Sequence, residues 1–114
     1  MRLAMLATVM ALFIVQAHAE SYRFNAQVWG IGGRSCASWL ANSISEAEGS
    51  AWVLGYWTGR NFGAAVARKN GTVGATTDPS GVIGEVRKRC VNNPASTLLT
   101  EVEHLYFEFN KKGR

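Results

Sequence analysis

Two cysteines, Cys36 and Cys90, stand 54 positions apart in this chain. Whether they pair decides how large a core the fold needs, and pairing requires an oxidising compartment. The amino terminus bears on that point. Met1-Arg2 is a short basic start, Leu3 to Val15 is almost wholly apolar, and Ala17-His18-Ala19 has the small-x-small form of a cleavage site. Residues 1–19 therefore read as a signal peptide cut after Ala19. The apolar run spans about 20 Å as a helix, short of the roughly 30 Å hydrocarbon core, so no membrane insertion is expected after cleavage.

Residues 20–114 form one small exported domain on this reading, with one possible disulfide. By loop-closure arithmetic, a bridge over that separation removes about 4 kcal/mol of unfolded-state entropy. This is a large share of the roughly 5–15 kcal/mol by which domains are stable. A reactive thiol or a metal ligand would need companions. The chain has no Cys-x-x-Cys, and His104 is the only histidine left after export. No metal and no cofactor are expected.

Loss of Arg2 leaves 11 Lys and Arg against 8 Asp and Glu, a charge of +3. The basic residues are dispersed from Arg23 through Arg60 and Arg87-Lys88-Arg89 to Arg114, without the concentrated patch that nucleic acid requires. No nucleic-acid partner is expected.

Hydrophobic periodicity gives an all-α class: a small four-helix, disulfide-stapled domain with a short extended lead-in. Tyr22, Phe24, Ala26 and Val28 alternate with polar residues, which suits an extended segment ending at Gly30-Ile31-Gly32-Gly33. Ser35 is placed to cap a helix over 36–48, with Gly49-Ser50 as its break. A second helix is expected over Trp52 to Ala67. There Gly55, Gly59 and Gly63 recur every four residues on a stripe with Trp52, Tyr56, Phe62 and Val66. Glycine costs about 1 kcal/mol relative to alanine in a helix, so the stripe predicts close packing of another element on this backbone. Leu54 and Trp57 project from the other side as candidate partner contacts.

Lys69 to Thr77 reads as a flexible loop. Asp78-Pro79 and Asn93-Pro94 each give the signature of a cap followed by proline at a helix start. They open a third helix with Val82, Ile83, Val86 and Cys90 inward, and a fourth with Leu98, Val102, Leu105, Tyr106 and Phe109 inward. Glu101, Glu103 and Glu108 fall at its more polar positions, and Phe107 outside the apolar stripe. Arg87-Lys88-Arg89 is a solvated run matched to a helix carboxyl end, and Lys111 to Arg114 is a frayed tail.

The inventory for catalysis is poor, and no enzyme is expected. His104 lies mid-helix beside glutamates, as surface histidines do. Glu101 and Glu103 are two apart on a helix and do not face each other. Gly33-Arg34-Ser35-Cys36-Ala37 is not a nucleophile elbow.

Three features taken together carry a resemblance: Ser35-Cys36-Ala37-Ser38-Trp39, the segment Trp52 to Asn61, and the Cys90-Val91-Asn92-Asn93-Pro94 link. Over about residues 30–110 the chain resembles the HdeA and HdeB family of periplasmic acid-stress chaperones. The resemblance implies a disulfide joining the first and third helices through Cys36 and Cys90. It also implies a periplasmic location, a homodimer that is folded and inactive near neutral pH, and a loosened acid form that binds unfolded periplasmic proteins. Leu54, Trp57 and Phe107 are then the candidates for client contact. A second, less close resemblance is to the Rap/Tai immunity proteins of type VI secretion, which are helical, disulfide-bonded, and recognise one specific protein partner. Those usually carry a further cysteine near the carboxyl terminus, and this chain does not.

Overall fold

The computed structural model describes residues 26–114; the expected signal peptide and the lead-in up to Asn25 lie outside the described residues. Among the described residues the protein is all-α, without a strand. A 3₁₀ turn, Gly30–Gly33, precedes α1 (Cys36–Trp39), α2 (Ser43–Val66), α3 (Pro79–Asn92) and α4 (Leu98–Lys111). Cys36 and Cys90 form a disulfide that joins α1 to α3. No helix among these residues is long and apolar enough to cross a membrane.

The boundary between the first two helices is not where the glycines suggested. α1 is a single turn, capped by Ser35, whose Oγ accepts from the Ser38 N–H at 3.1 Å. The chain then restarts at Asn42, which is extended (φ −161°) and accepts the Ser45 N–H on Oδ1 at 2.9 Å. Asparagine is among the best N-caps, so the break falls there. Gly49 lies inside α2. A Cβ at Gly49 would overlap the Trp39 indole, whose N–H donates to the Glu46 carbonyl at 3.1 Å. This glycine is therefore a seat for a tryptophan and does not end the helix.

α3 starts as expected, with Asp78 Oδ1 accepting from the Gly81 N–H at 2.7 Å and Pro79 at the first helical position. α4 starts later than Asn93-Pro94 predicted. Its cap is Thr97, whose Oγ1 accepts the Thr100 N–H at 3.1 Å. Residues 94–98 instead cross α1: the Pro94 and Ser96 carbonyls accept the Ala37 and Cys36 N–H groups, and Leu98 N–H donates to the Arg34 carbonyl. The first two bonds satisfy donors at the start of α1 that no helix of one turn can satisfy itself, and the third satisfies the first donor of α4.

The loop after α2 and the carboxyl tail are both tied down, contrary to expectation. Val73 is buried. Gly74 N–H donates to the Arg114 carbonyl, Arg114 N–H donates to that of Phe109, and the Arg114 guanidinium lies 4.0 Å from the Phe109 ring centre.

One core unites these elements. Trp39, Val53, Val86, Leu98, Val102, Leu105 and Phe109 are fully buried around the disulfide, as the periodicity of the last two helices indicated. On α2 the inward side is Gly49, Val53 and Trp57, not the glycine stripe. Among the described residues nothing lies within 4 Å of a Cβ built at Gly55, Gly59 or Gly63, so the close packing expected there is not made by them. Two substitutions separate these roles. Gly49→Ala should destabilise by about 1–3 kcal/mol through overpacking on Trp39, and Gly59→Ala should stabilise by about 1 kcal/mol. Urea unfolding of both variants checks this; equal effects would contradict the assignment.

Candidate functional site

Asn61, a residue with no special standing in the sequence, organises the interior beside α2. Its Oδ1 accepts from the Tyr106 hydroxyl at 2.7 Å and from the Val73 N–H at 3.2 Å, while its Nδ2 donates to the Val73 carbonyl at 3.0 Å. The same carbonyl accepts the Trp57 indole N–H at 2.8 Å. Trp57 packs edge-on against Tyr106 and Phe109, with ring centres 5.0 and 5.6 Å away. Trp57 is thus a core residue, able to meet a partner only if α2 and α4 separate. Of the other two candidate contacts, Leu54 is half-buried beside Ile83 and Arg87 in a shallow depression, and Phe107 is 65% exposed. The three do not form one surface.

The outer side of α2 is largely apolar, interrupted by the exposed Glu48 one turn after Ile44. Ile44, Phe62 and Val66 are exposed there, together with Gly55, Gly59 and Gly63. On the opposite side, each pair of long helices is joined by one arginine–glutamate pair: Arg87 with Glu46 for α3 and α2, Arg89 with Glu108 for α3 and α4, and Arg60 with Glu103, at 3.2 Å, for α2 and α4. Two members of the expected solvated run, Arg87 and Arg89, are therefore cross-links between helices. Lys88 pairs within α3 with Glu85 at 3.6 Å.

Two glutamates of α4 differ from the polar-face expectation. Glu101 is buried at 4% exposure, its Oε2 without a hydrogen bond among the described residues and 4.0 Å from Nδ1 of the exposed His104. Glu103 is half-buried, and burial pushes its carboxyl above the ordinary range, partly offset by His104. Glu108 is held below that range by its hydrogen bond to Lys112, with Arg89 adding to the effect. Burial also raises the Tyr106 phenol, with Arg60 acting in the opposite direction.

A half-open cleft of about 880 Å³ lies between the lead-in, α2 and α4. Trp29, Trp52 and Tyr56 form its aromatic wall, and Arg60, Glu103 and His104 its polar end. Trp52 and Tyr56 stack at 5.3 Å with 12° between their planes, and the Trp52 N–H donates to the Trp29 carbonyl at 2.9 Å. Sequence reading placed Trp52 and Tyr56 on the glycine stripe and so missed that they face α4. Their spacing to Arg60 of four residues per step was the available signal. Among the described residues, no group of three or more His, Cys, Asp or Glu side chains is arranged to hold a metal.

Comparisons of the chain with known protein families, with curated proteins and with solved structures find no match.

The two displaced glutamates make opposite contributions to pH dependence. The raised Glu103 carboxyl contributes stability that is present below its unfolded pKa and lost as pH rises through the folded value. The depressed Glu108 carboxyl contributes stability that is present above its unfolded pKa and lost as pH falls through the folded value. Melting temperatures from about pH 7 to about pH 2.5 should therefore show a reduced gain on mild acidification in Glu103→Gln, and a smaller acid loss in Glu108→Gln. Identical profiles for the two variants would contradict the assignment.

Proposed function

We propose that this chain is an exported, periplasmic acid-stress chaperone of the HdeA and HdeB type, which binds unfolded clients at low pH without a cofactor. The observation that supports this reading is the set of three arginine–glutamate pairs, one between every two of the long helices. Each pair is partly exposed and individually weak. All of them depend on a carboxylate, and the pair at Glu108, whose carboxyl is held below its ordinary range, is the one whose loss in acid costs stability. With residues 1–19 removed, protonation of the eight carboxylates and His104 takes the charge from +3 to +12. Self-repulsion then pushes the helices apart while the disulfide limits how far they open.

Burial of Glu103 works against this, since its protonation relieves a desolvation cost. Acid loosening must therefore come from Glu108 and the overall charge. Trp57 is the largest apolar group that parting of α2 and α4 would release, and Phe107 and Leu54 lie outside the central core.

A second reading is favoured by a different observation. The apolar outer face of α2 already exists in the folded domain, as the surface of a specific protein-binding module would, whether immunity protein, inhibitor or homodimer. The two readings differ in pH. Light scattering of an aggregating periplasmic client, with and without the purified oxidised protein, should show suppression at about pH 2–3 and none at about pH 7. Absence of suppression at any ratio would overturn the chaperone reading and leave the preformed α2 face as the candidate binding surface.

A further inference from the structure

We propose that the outer face of α2 pairs with the same face of a second copy of this chain, running in the opposite direction about a two-fold axis at the Thr58–Gly59 step. Choosing this partner rests on the second reading above, in which that face is a preformed binding surface. Glu48, Ala51, Gly55, Gly59, Phe62 and Val66 recur every three or four residues along one side of α2, and all are exposed. Between Glu48 and Val66 the large side chains on this side stand only toward the carboxyl end, Phe62 at 72% and Val66 at 70% exposure. The small ones, Ala51 and Gly55, stand toward the amino end, and no described residue comes within 4 Å of a Cβ at Gly55. Arg68 and Lys69 lie exposed just past the helix end.

This order selects a reversed copy of the same helix. Residues equidistant from the Thr58–Gly59 step then meet, so Phe62 faces Gly55 of the second copy and Val66 faces its Ala51. Each large side chain enters space that a small one leaves open. Charge points the same way. At both ends of the pair, Glu48 of one copy meets the Arg68-Lys69 that follows α2 in the other, and none of these three residues makes an ion pair among the described residues. A copy running in the same direction would instead set Glu48 on Glu48 and Phe62 on Phe62, which brings like charges together and leaves the glycines unfilled. Thr58, at the axis, donates its hydroxyl hydrogen to the Leu54 carbonyl at 2.8 Å, so covering it orphans no donor. Ile44 lies beyond the overlap of the two helices. One helix on another is a small contact for a dimer, so the association is weak and reversible.

Sedimentation equilibrium of the oxidised protein at neutral pH and low salt tests the pairing without any client, so its result is independent of the light-scattering measurement. A monomer–dimer equilibrium with a dissociation constant of about 100 µM is expected. Phe62→Ala, at an exposed position outside the core, should weaken it about tenfold or more. Glu48→Lys should weaken it about tenfold, and so should Arg68→Glu combined with Lys69→Glu, because each brings like charges together. All three charge reversals in one chain should restore it to within about threefold of the original, with circular dichroism confirming that every variant is folded. A protein monomeric up to about 1 mM would overturn the proposal, while leaving the α2 face open to a different protein. So would a dimer indifferent to Phe62→Ala, or one that the three reversals together leave as weak as either partial change does.

Discussion

The bond between Cys36 and Cys90 underlies the rest of the fold because it makes α1 persist. A helix of one turn does not form in isolation, where nucleation costs more than its few hydrogen bonds return. Here the turn is fixed from two sides. The disulfide fastens it to α3, and the Pro94 and Ser96 carbonyls take the amides at its start. Once α1 is fixed, Trp39 is directed onto Gly49, and the indole together with its bond to the Glu46 carbonyl sets the position of α2. α2 then presents Trp57 and Asn61 to the loop at Val73 and to α4. The covalent tie thus acts on α2 through α1 and Trp39.

Polar groups give this core its register. Apolar packing alone would tolerate α2 rotated by part of a turn, since aromatic side chains lie on more than one of its sides. Asn61 and the Trp57 N–H converge on the single residue Val73, and buried polar groups that lost those partners would each cost about 1–3 kcal/mol. That cost selects one rotation. The apolar outer face and the aromatic cleft beside α4 are consequences of this choice, the first left open by the chain and the second walled by Trp52 and Tyr56.

How far the sequence carries can be judged from particular residues. α3 and α4 were legible because Pro79 marks a helix start and because Val82, Val86 and Cys90, then Leu98, Val102, Leu105 and Phe109, repeat at helical spacing without competition. The cysteine pairing was legible because only one pairing exists. α2 was not, because glycine carries two opposite meanings: Gly49 allows a close approach, while Gly55, Gly59 and Gly63 face open space. Pro94 misled for a related reason, since it turns the chain across α1 before Thr97 caps α4. The Asn61 hub and the Arg–Glu pairs involve residues 12 to 45 positions apart, beyond any local periodicity.

On the proposed function the domain is closed near neutral pH and loosened by acid while the disulfide holds. Near-ultraviolet circular dichroism of the oxidised protein, followed from about pH 7 to about pH 2 beside the far-ultraviolet signal and binding of an apolar dye, tests this most directly. The prediction is loss of the aromatic signal and a rise in dye binding below about pH 4, with most of the helical signal retained. An aromatic signal unchanged down to about pH 2 would contradict it.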